Sequence, residues 1–216
     1  GNVEPITQPQ QPRKKDPRVL LKRIAEGAKP LSGNDPASLY LRNRGLTVTS
    51  PELKYHPGLT YWDRDKNGKP VNLGTFPTMI SPVRDIDGNG VTYHCTFLAG
   101  TGQKAAVPSP KKIMPPLKPL HGSAIHLFPA GKTLAVAEGV ETSLAFHEAY
   151  SVPTWATISA NLMEAFNIPP MVEELIVVAD NDKSFTGQKA AYTLAHKATR
   201  AGISAKVVLE GEPDQD

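Results

Sequence analysis

Three acidic side chains stand where two apolar runs of the sequence end. Glu138 follows the run 134–137, and Asp180 and Asp182 lie at the end of the run 175–179. Carboxylates that converge on one place repel each other unless a cation lies between them. Oxygen ligands without His or Cys favour a hard divalent ion. The pattern therefore predicts a site for Mg²⁺ or Mn²⁺, held partly through water.

The elements that would position these acids are buried strands. An uninterrupted run of Val, Ile, Leu and Ala, with no alternation of apolar and polar residues, is typical of a parallel strand covered on both faces by helices. From Thr133 onward, strand-like and helix-like segments alternate, which predicts a parallel sheet with ligands at the carboxyl ends of its strands. The predicted strands are 133–137, 154–158, 174–179 and 203–209, and the predicted helices are about 140–150, 160–166 and 187–201.

A purely structural explanation of the same acids is open at this point. Glu138 and Glu141 could stabilise the N-terminus of a helix, and Asp180 to Asp182 could form a turn. In an extended chain, however, alternate residues project to the same side, so Asp180 and Asp182 are expected to point the same way.

The sequence before Thr133 predicts a smaller α+β unit. Helices are expected at 17–28 and 36–44, and strand-like runs at 76–83 and 91–98 flank an Asp-Gly and Asn-Gly turn, which is a hairpin signal. We expect 54–74 to be rich in loops, with aromatic side chains that either pack or stack on bases. Those aromatics are Tyr55, Tyr61 and Trp62.

The chain therefore divides into three predicted parts. Residues 1–16 are polar and proline-punctuated, as in a flexible arm or linker. Residues 17–132 form the basic α+β subdomain, and residues 133–216 form an α/β domain with a parallel sheet flanked by helices.

Charge is distributed unevenly between these parts. Residues 1–132 hold 19 basic and 9 acidic side chains, whereas residues 133–216 hold 5 basic and 12 acidic ones. A chance difference between solvated surfaces is the plain explanation. The alternative is that one part holds phosphates and the other holds the cations that neutralise them.

Several other classes of site are excluded. The single cysteine, Cys95, rules out an internal disulfide and a multi-cysteine zinc site. The tripeptide 131–133 lacks the upstream glycine of a phosphate-binding loop and precedes a strand instead of a helix. No apolar run approaches the ~20 residues that cross a bilayer, and the start has no signal-peptide character. We therefore expect a cytoplasmic protein with no membrane partner.

The acidic motifs resemble those of a known family. The segment Glu138-Gly139-Val140-Glu141-Thr142, followed by an Asp-x-Asp strand end and a Gly-Gln-Lys-Ala-Ala helix start, resembles the Toprim domain of primases, topoisomerases and related nucleases. It is most similar to DNA primases of the bacterial type, in a phage- or plasmid-encoded form. Upstream, the segment 79–85 with its following turn is similar to the hairpin before the Toprim domain of primases, and 35–46 resembles a segment of phage primase-like proteins.

The resemblance implies a DNA primase catalytic core, a nucleotidyltransferase that makes short RNA primers on single-stranded DNA. Glu138, Asp180 and Asp182 would hold Mg²⁺ or Mn²⁺, which activates the attacking 3′ hydroxyl and neutralises the triphosphate of the incoming ribonucleotide. The implied partners are a single-stranded DNA template, ribonucleoside triphosphates, and a replicative helicase or a helicase domain outside this chain.

Further site residues follow from the same resemblance. The expected nucleotide- and template-binding residues are Arg84, Lys104, Lys111, Lys112 and Lys183. The family usually continues with Gly-x-Asp-x-x-Asp after its last strand, so Asp214 and Asp216 are additional candidate metal ligands. Bacterial-type primases have a Cys/His zinc module at the N-terminus, and because this sequence has one cysteine we expect that module to be absent or removed.

Two other functions stay open. A Toprim nuclease could use the same acids to cut a phosphodiester, and the chain could be a non-catalytic DNA-binding piece of a larger replication protein. The basic hairpin subdomain favours synthesis, because a nuclease needs no nucleotide-binding platform. A type I topoisomerase is disfavoured, because it needs a separate tyrosine-bearing domain.

Overall fold

A computed structural model describes residues 16–181 and 183–210. The helices are α1 (Pro17–Gly27), α2 (Pro36–Asn43), α3 (Val140–Tyr150), α4 (Ala160–Glu164) and α5 (Thr186–Arg200). The strands are β1 (Lys29–Pro30), β2 (Lys54–Arg64), β3 (Pro70–Arg84), β4 (Gly90–Phe97), β5 (Lys111–Ile113), β6 (Thr133–Ala137), β7 (Thr154–Ala156), β8 (Glu174–Asp180) and β9 (Ser204–Glu210). None of the helices in these ranges is long and apolar enough to cross a membrane.

The second half of the described chain is a parallel sheet with strand order β7-β6-β8-β9. Every neighbouring pair in it is parallel, and helix α5 packs on β8 and β9 while α3 packs on β6 and β7. The predicted α/β class with a helix-flanked parallel sheet is confirmed. The strand predicted at 154–158 is shorter than expected, because Ile158 takes a positive φ of 74° and leaves the extended conformation.

The first half is an antiparallel sheet with strand order β1-β2-β3-β4-β5. The predicted hairpin is present as β3 and β4, with Ser81 opposite His94. The prediction of a loop-rich segment at 54–74 is wrong, because β2 and the start of β3 form a second, longer hairpin. Its proline and glycine residues obscured the strand pattern in the sequence, and the ladder accommodates them with register shifts between His56 and Leu59 and between Tyr61 and Trp62.

The two sheets share a hydrophobic core. One cluster of buried side chains joins α2 and β3 to α3 and β7, and its members include Leu41, Met79, Val140 and Ala156. The segment 124–128 forms two isolated bridges and not a longer strand. Ala124 pairs with Arg84 of the antiparallel sheet, and Ile125 pairs with Ala156 of the parallel sheet. This short segment therefore connects the two sheets by backbone pairing.

Candidate active site

Two of the predicted acids stand at the carboxyl ends of neighbouring strands. Glu138 directly follows β6 and Asp180 ends β8, and these two strands are paired in parallel from Thr133 opposite Glu174 to Ala137 opposite Val178. Both side chains line one cavity of about 300 Å³, which we call the central cavity. We call Glu138 and Asp180 together the acidic edge.

The local sequence explains why the acids emerge there. Leu134, Ala135, Val136 and Ala137 are fully buried in the sheet, and Gly139 then caps helix α3, with its carbonyl accepting hydrogen bonds from the backbone and hydroxyl of Ser143. Because strand changes to helix within two residues, Glu138 lies at the strand end and lines the cavity.

A third carboxylate, Glu141, lines the same cavity from the first turn of α3. Its side chain is only 17% exposed, and its Oε2 atom lies 2.9 Å from the Nζ atom of Lys111. Its other oxygen accepts a hydrogen bond from the Tyr40 hydroxyl. Burial by itself raises the pKa of Glu141, but the Lys111 charge and the bonds from Tyr40 and Lys111 lower that pKa to about 2. Glu141 is therefore ionised at neutral pH.

Three cations, Arg44, Lys104 and Lys111, lie in or beside the central cavity and interact electrostatically, and we call them the cation cluster. Arg44 and Lys111 line the central cavity, and Arg44 with Lys104 also lines an adjoining cavity of about 560 Å³. Partial burial and the charges of Lys111 and Arg44 lower the pKa of Lys104, and Glu141 opposes that shift. Like charges held this close favour a bound anion.

Strand alternation decides which lysine of β5 faces the cavity. Lys111 pairs with Thr96 of β4, and Lys112 pairs with Cys95. Lys111 therefore projects to the cavity side, whereas the Lys112 Nζ atom donates to the Trp62 carbonyl at 2.6 Å and lies 3.9 Å from the centre of the Tyr61 ring. Of these two predicted lysines, the structure brings only Lys111 to the acidic edge.

His94 forms part of the wall beside Lys111. The side chain lines the central cavity and the residue is only 8% exposed. Burial, and then the nearby Lys111 charge, lower the pKa of His94 to about 4, so the ring is neutral at neutral pH. Within the described part of the chain, no hydrogen-bond partner contacts its Nδ1 atom, nor the buried hydroxyls of Ser81 and Thr96 beside it.

The remaining predicted residues lie elsewhere. Arg84 pairs with Glu52 at 2.8 Å and donates to the Gly88 carbonyl, and it lines other cavities rather than the central one. Lys183 is exposed in the turn between β8 and α5. Asp182, Asp214 and Asp216 fall outside the described residues.

The acidic edge fits a hard divalent cation. Glu138 and Asp180 supply only carboxylate oxygens, which suit Mg²⁺ or Mn²⁺ completed by water. Among residues 16–181 and 183–210 no group of three or more His, Cys, Asp or Glu side chains is placed to hold a metal ion. The described residues thus contribute two carboxylates of the predicted set.

Four residues of the site were not predicted as such from sequence: Tyr40, Arg44, His94 and Glu141. Tyr40 and Arg44 belong to the upstream segment that carried the family resemblance, and Glu141 belongs to the Glu-Gly-x-Glu motif. Those two motifs could have indicated three of these four site residues. His94 had none, because a single histidine inside a strand has no distinctive spacing.

The helix-flanked parallel sheet with a preceding antiparallel sheet is a fold that this chain shares with solved primase catalytic domains. The chain is similar to a DNA primase domain from Pseudomonas aeruginosa, with 17% identity, a TM-score of 0.59, and coverage of 91% of this chain and 71% of that one. It is also similar to the DnaG primase catalytic domain solved with single-stranded DNA, with 14% identity, a TM-score of 0.58, and coverage of 91% and 72%.

A third similar structure is the Aquifex aeolicus primase, comprising zinc-binding and RNA polymerase domains. The identity is 16%, the TM-score is 0.56, and the match covers 94% of this chain and 57% of that one. The resemblance to bacterial-type primases that the sequence indicated is confirmed at the level of the fold. No curated protein matches the chain.

Family models divide the chain between two domains. Residues 133–216 match the Toprim domain. Residues 15–127, more than half of the chain, match the family described as a domain of unknown function, DUF7146, and the chain belongs to that family.

Proposed function

We propose that this chain is the catalytic core of a DNA primase, which joins ribonucleotides into short RNA primers on a single-stranded DNA template. The observation that carries the proposal is that Glu138 and Asp180 of the acidic edge line one cavity together with Arg44 and Lys111 of the cation cluster. Nucleotidyl transfer needs that pairing, because charge on the triphosphate must be neutralised while an attacking hydroxyl is activated.

The proposed roles follow from position. Glu138 and Asp180, with Asp182, would hold Mg²⁺ or Mn²⁺, and Asp214 or Asp216 could complete the set. A divalent ion bound there would lower the pKa of the attacking 3′ hydroxyl and polarise the phosphoryl group. Arg44, Lys104 and Lys111 would bind the triphosphate.

The other three predicted basic residues keep a different proposed role. Arg84, Lys112 and Lys183 would contact the template backbone, where point charges strengthen binding without reading sequence. The similarity to the DnaG structure solved with single-stranded DNA supports single-stranded DNA as the proposed template. By the same resemblance we propose a replicative helicase as partner and a phage or plasmid origin.

The proposal is tested by incubating the chain with a single-stranded template, labelled ribonucleotides and Mg²⁺ or Mn²⁺. We expect short oligoribonucleotides from the parent and their loss in Glu138→Gln, which keeps the shape of the side chain and removes its charge. Synthesis that survives Glu138→Gln would contradict the site assignment.

The same assay separates the competing functions. Cleavage of the template without synthesis would identify a Toprim nuclease. Template binding with neither reaction would identify a non-catalytic DNA-binding piece. The cation cluster favours synthesis over both, because three neighbouring cations beside the acidic edge match a triphosphate better than a single backbone phosphate.

A further inference from the structure

Glu141 occupies a position that the proposed chemistry leaves unexplained. It is an ionised carboxylate in the central cavity, yet its oxygens are bound by Lys111 and Tyr40. Both partners belong to the antiparallel half, whereas Glu141 belongs to helix α3 of the parallel half. The Lys111–Glu141 pair therefore joins the two halves in the lining of the cavity that the substrate would enter.

The charges around Glu141 are unbalanced in favour of cations. Lys111 contacts it directly, Arg44 lies with its guanidinium carbon 5.7 Å from the centre of the Tyr40 ring, and Lys104 interacts electrostatically with both cations and with Glu141. Glu141 is thus the carboxylate that directly pairs with this cluster in the described chain. A triphosphate that entered the cluster would compete with it for Lys111.

We propose that Glu141 is a specificity-determining residue. It occupies the contact with Lys111 that a substrate phosphate would make, and it makes the cation cluster selective for metal-bound triphosphate. A free triphosphate carries more negative charge than the metal-bound form, so it is repelled more strongly by a fixed carboxylate at short range. Metal-bound triphosphate is repelled less by Glu141 and can displace it from Lys111. This inference rests on the proposed function for the identity of the ligand as a nucleoside triphosphate.

The test is equilibrium binding of ATP to the full chain, with Mg²⁺ and with a chelator in its place. In Glu141→Gln the side chain keeps its shape and can still accept from Tyr40, but it no longer repels phosphate. We expect metal-free ATP to bind about tenfold more tightly to Glu141→Gln than to the parent, and Mg²⁺-bound ATP to change by less than about threefold.

Glu148→Gln is the matched control. Glu148 lies on the same helix and also reaches the antiparallel half, where it accepts hydrogen bonds from the backbone and hydroxyl of Thr47, but it does not line the central cavity. Its substitution should leave both ATP affinities unchanged. An equal shift in Glu148→Gln would show a general effect of loosening the two halves and would overturn the proposal.

A second variant ties the effect to Lys111. In a Lys111→Met background, Glu141→Gln should strengthen metal-free binding by clearly less than about tenfold, because the competition for Lys111 is gone and only the repulsion of phosphate by Glu141 is relieved. Weaker binding of both ATP forms to Glu141→Gln, or an unchanged ratio between them, would also overturn the proposal. A chain that binds ATP with this selectivity but makes no RNA would contradict the proposed function and support the role of Glu141.

Discussion

The Nζ atom of Lys111 lies 2.9 Å from the Oε2 atom of Glu141, and this ion pair joins strand β5 of the antiparallel sheet to helix α3 of the parallel sheet. Lys111 is 35% exposed at its side chain and Glu141 is 17% exposed. The lysine is thus held at the cavity wall but stays accessible to a ligand.

Adjacent lysines of β5 should therefore differ in their effect on catalysis. Lys111→Met removes a cation from the central cavity, so we predict that the KM for ribonucleotides rises about tenfold or more. Lys112→Met removes a cation that contacts Trp62 and Tyr61 on the opposite face, so at saturating template we predict a KM for ribonucleotides within about twofold of the parent. Steady-state primer synthesis measures both, and equal effects of the two substitutions would contradict the assignment of Lys111.

The N-cap of α2 should support both stability and nucleotide binding. Asp35 is buried and accepts hydrogen bonds from the backbone of Ala37 and Ser38 at 3.0 and 2.9 Å, and the helix that it caps carries Tyr40 and leads into Arg44. We predict that Asp35→Ala lowers the free energy of unfolding by about 2 kcal/mol and weakens ATP binding.

Asp16→Ala provides the comparison for that prediction. Asp16 caps α1 through the backbone of Arg18, and α1 does not line the central cavity. We expect a smaller loss of stability in urea unfolding, because the cap is exposed, and no change in ATP affinity. Loss of ATP binding in both cap variants would show that the effect of Asp35 is not local.

Burial of His94 should make stability fall in mild acid. Its pKa is lowered to about 4 by burial and by the Lys111 charge, against the opposing Glu141 charge, whereas the unfolded chain binds the proton near the ordinary value of 6.5. Between these two pKa values the unfolded state binds more protons, so stability is lost as pH falls. We predict that His94 accounts for roughly 1–2 kcal/mol of the loss between about pH 7 and about pH 5.

Urea unfolding of His94→Gln at both pH values measures this contribution. The pH-dependent loss should shrink by that amount but not vanish, because burial lowers the pKa of His126 to about 4 as well. His121→Gln, at an exposed turn residue, should leave the loss unchanged. An identical pH dependence in His94→Gln and the parent would contradict the prediction.

Sequence patterns were sufficient to predict the strands and helices of the parallel half of the fold. Continuous apolar runs such as Leu134–Ala137 identify strands buried on both faces, and the helices between them follow from their spacing. The hairpin of β2 and β3 was missed, because its register shifts break the alternation that marks a strand. Its turn is held by local contacts instead, with the Asp65 side chain accepting from the backbone of Asn67 and Lys69.

The site could be predicted only where its residues follow a strand or a motif. Glu138, Asp180 and Lys111 were predicted and meet at the central cavity, although their chemical roles stay predictions. The contact of Tyr40 with Glu141 joins residues 101 positions apart, and no local pattern encodes such a pair. The opposite directions of Lys111 and Lys112 required the register of β5 against β4, which the sequence does not display.

The most direct test of the acidic edge compares the two ends of one strand. Asp180 ends β8 at the central cavity, whereas Glu174 begins it at the far end, where it pairs with Lys206 at 2.6 Å and accepts from Thr133. The measurement is template-directed ribonucleotide incorporation by the parent, Asp180→Asn and Glu174→Gln with Mg²⁺ or Mn²⁺. We predict that Asp180→Asn lowers the rate by about 10²-fold or more while Glu174→Gln stays within about twofold of the parent. Equal rates for Asp180→Asn and the parent would contradict a metal site at this edge.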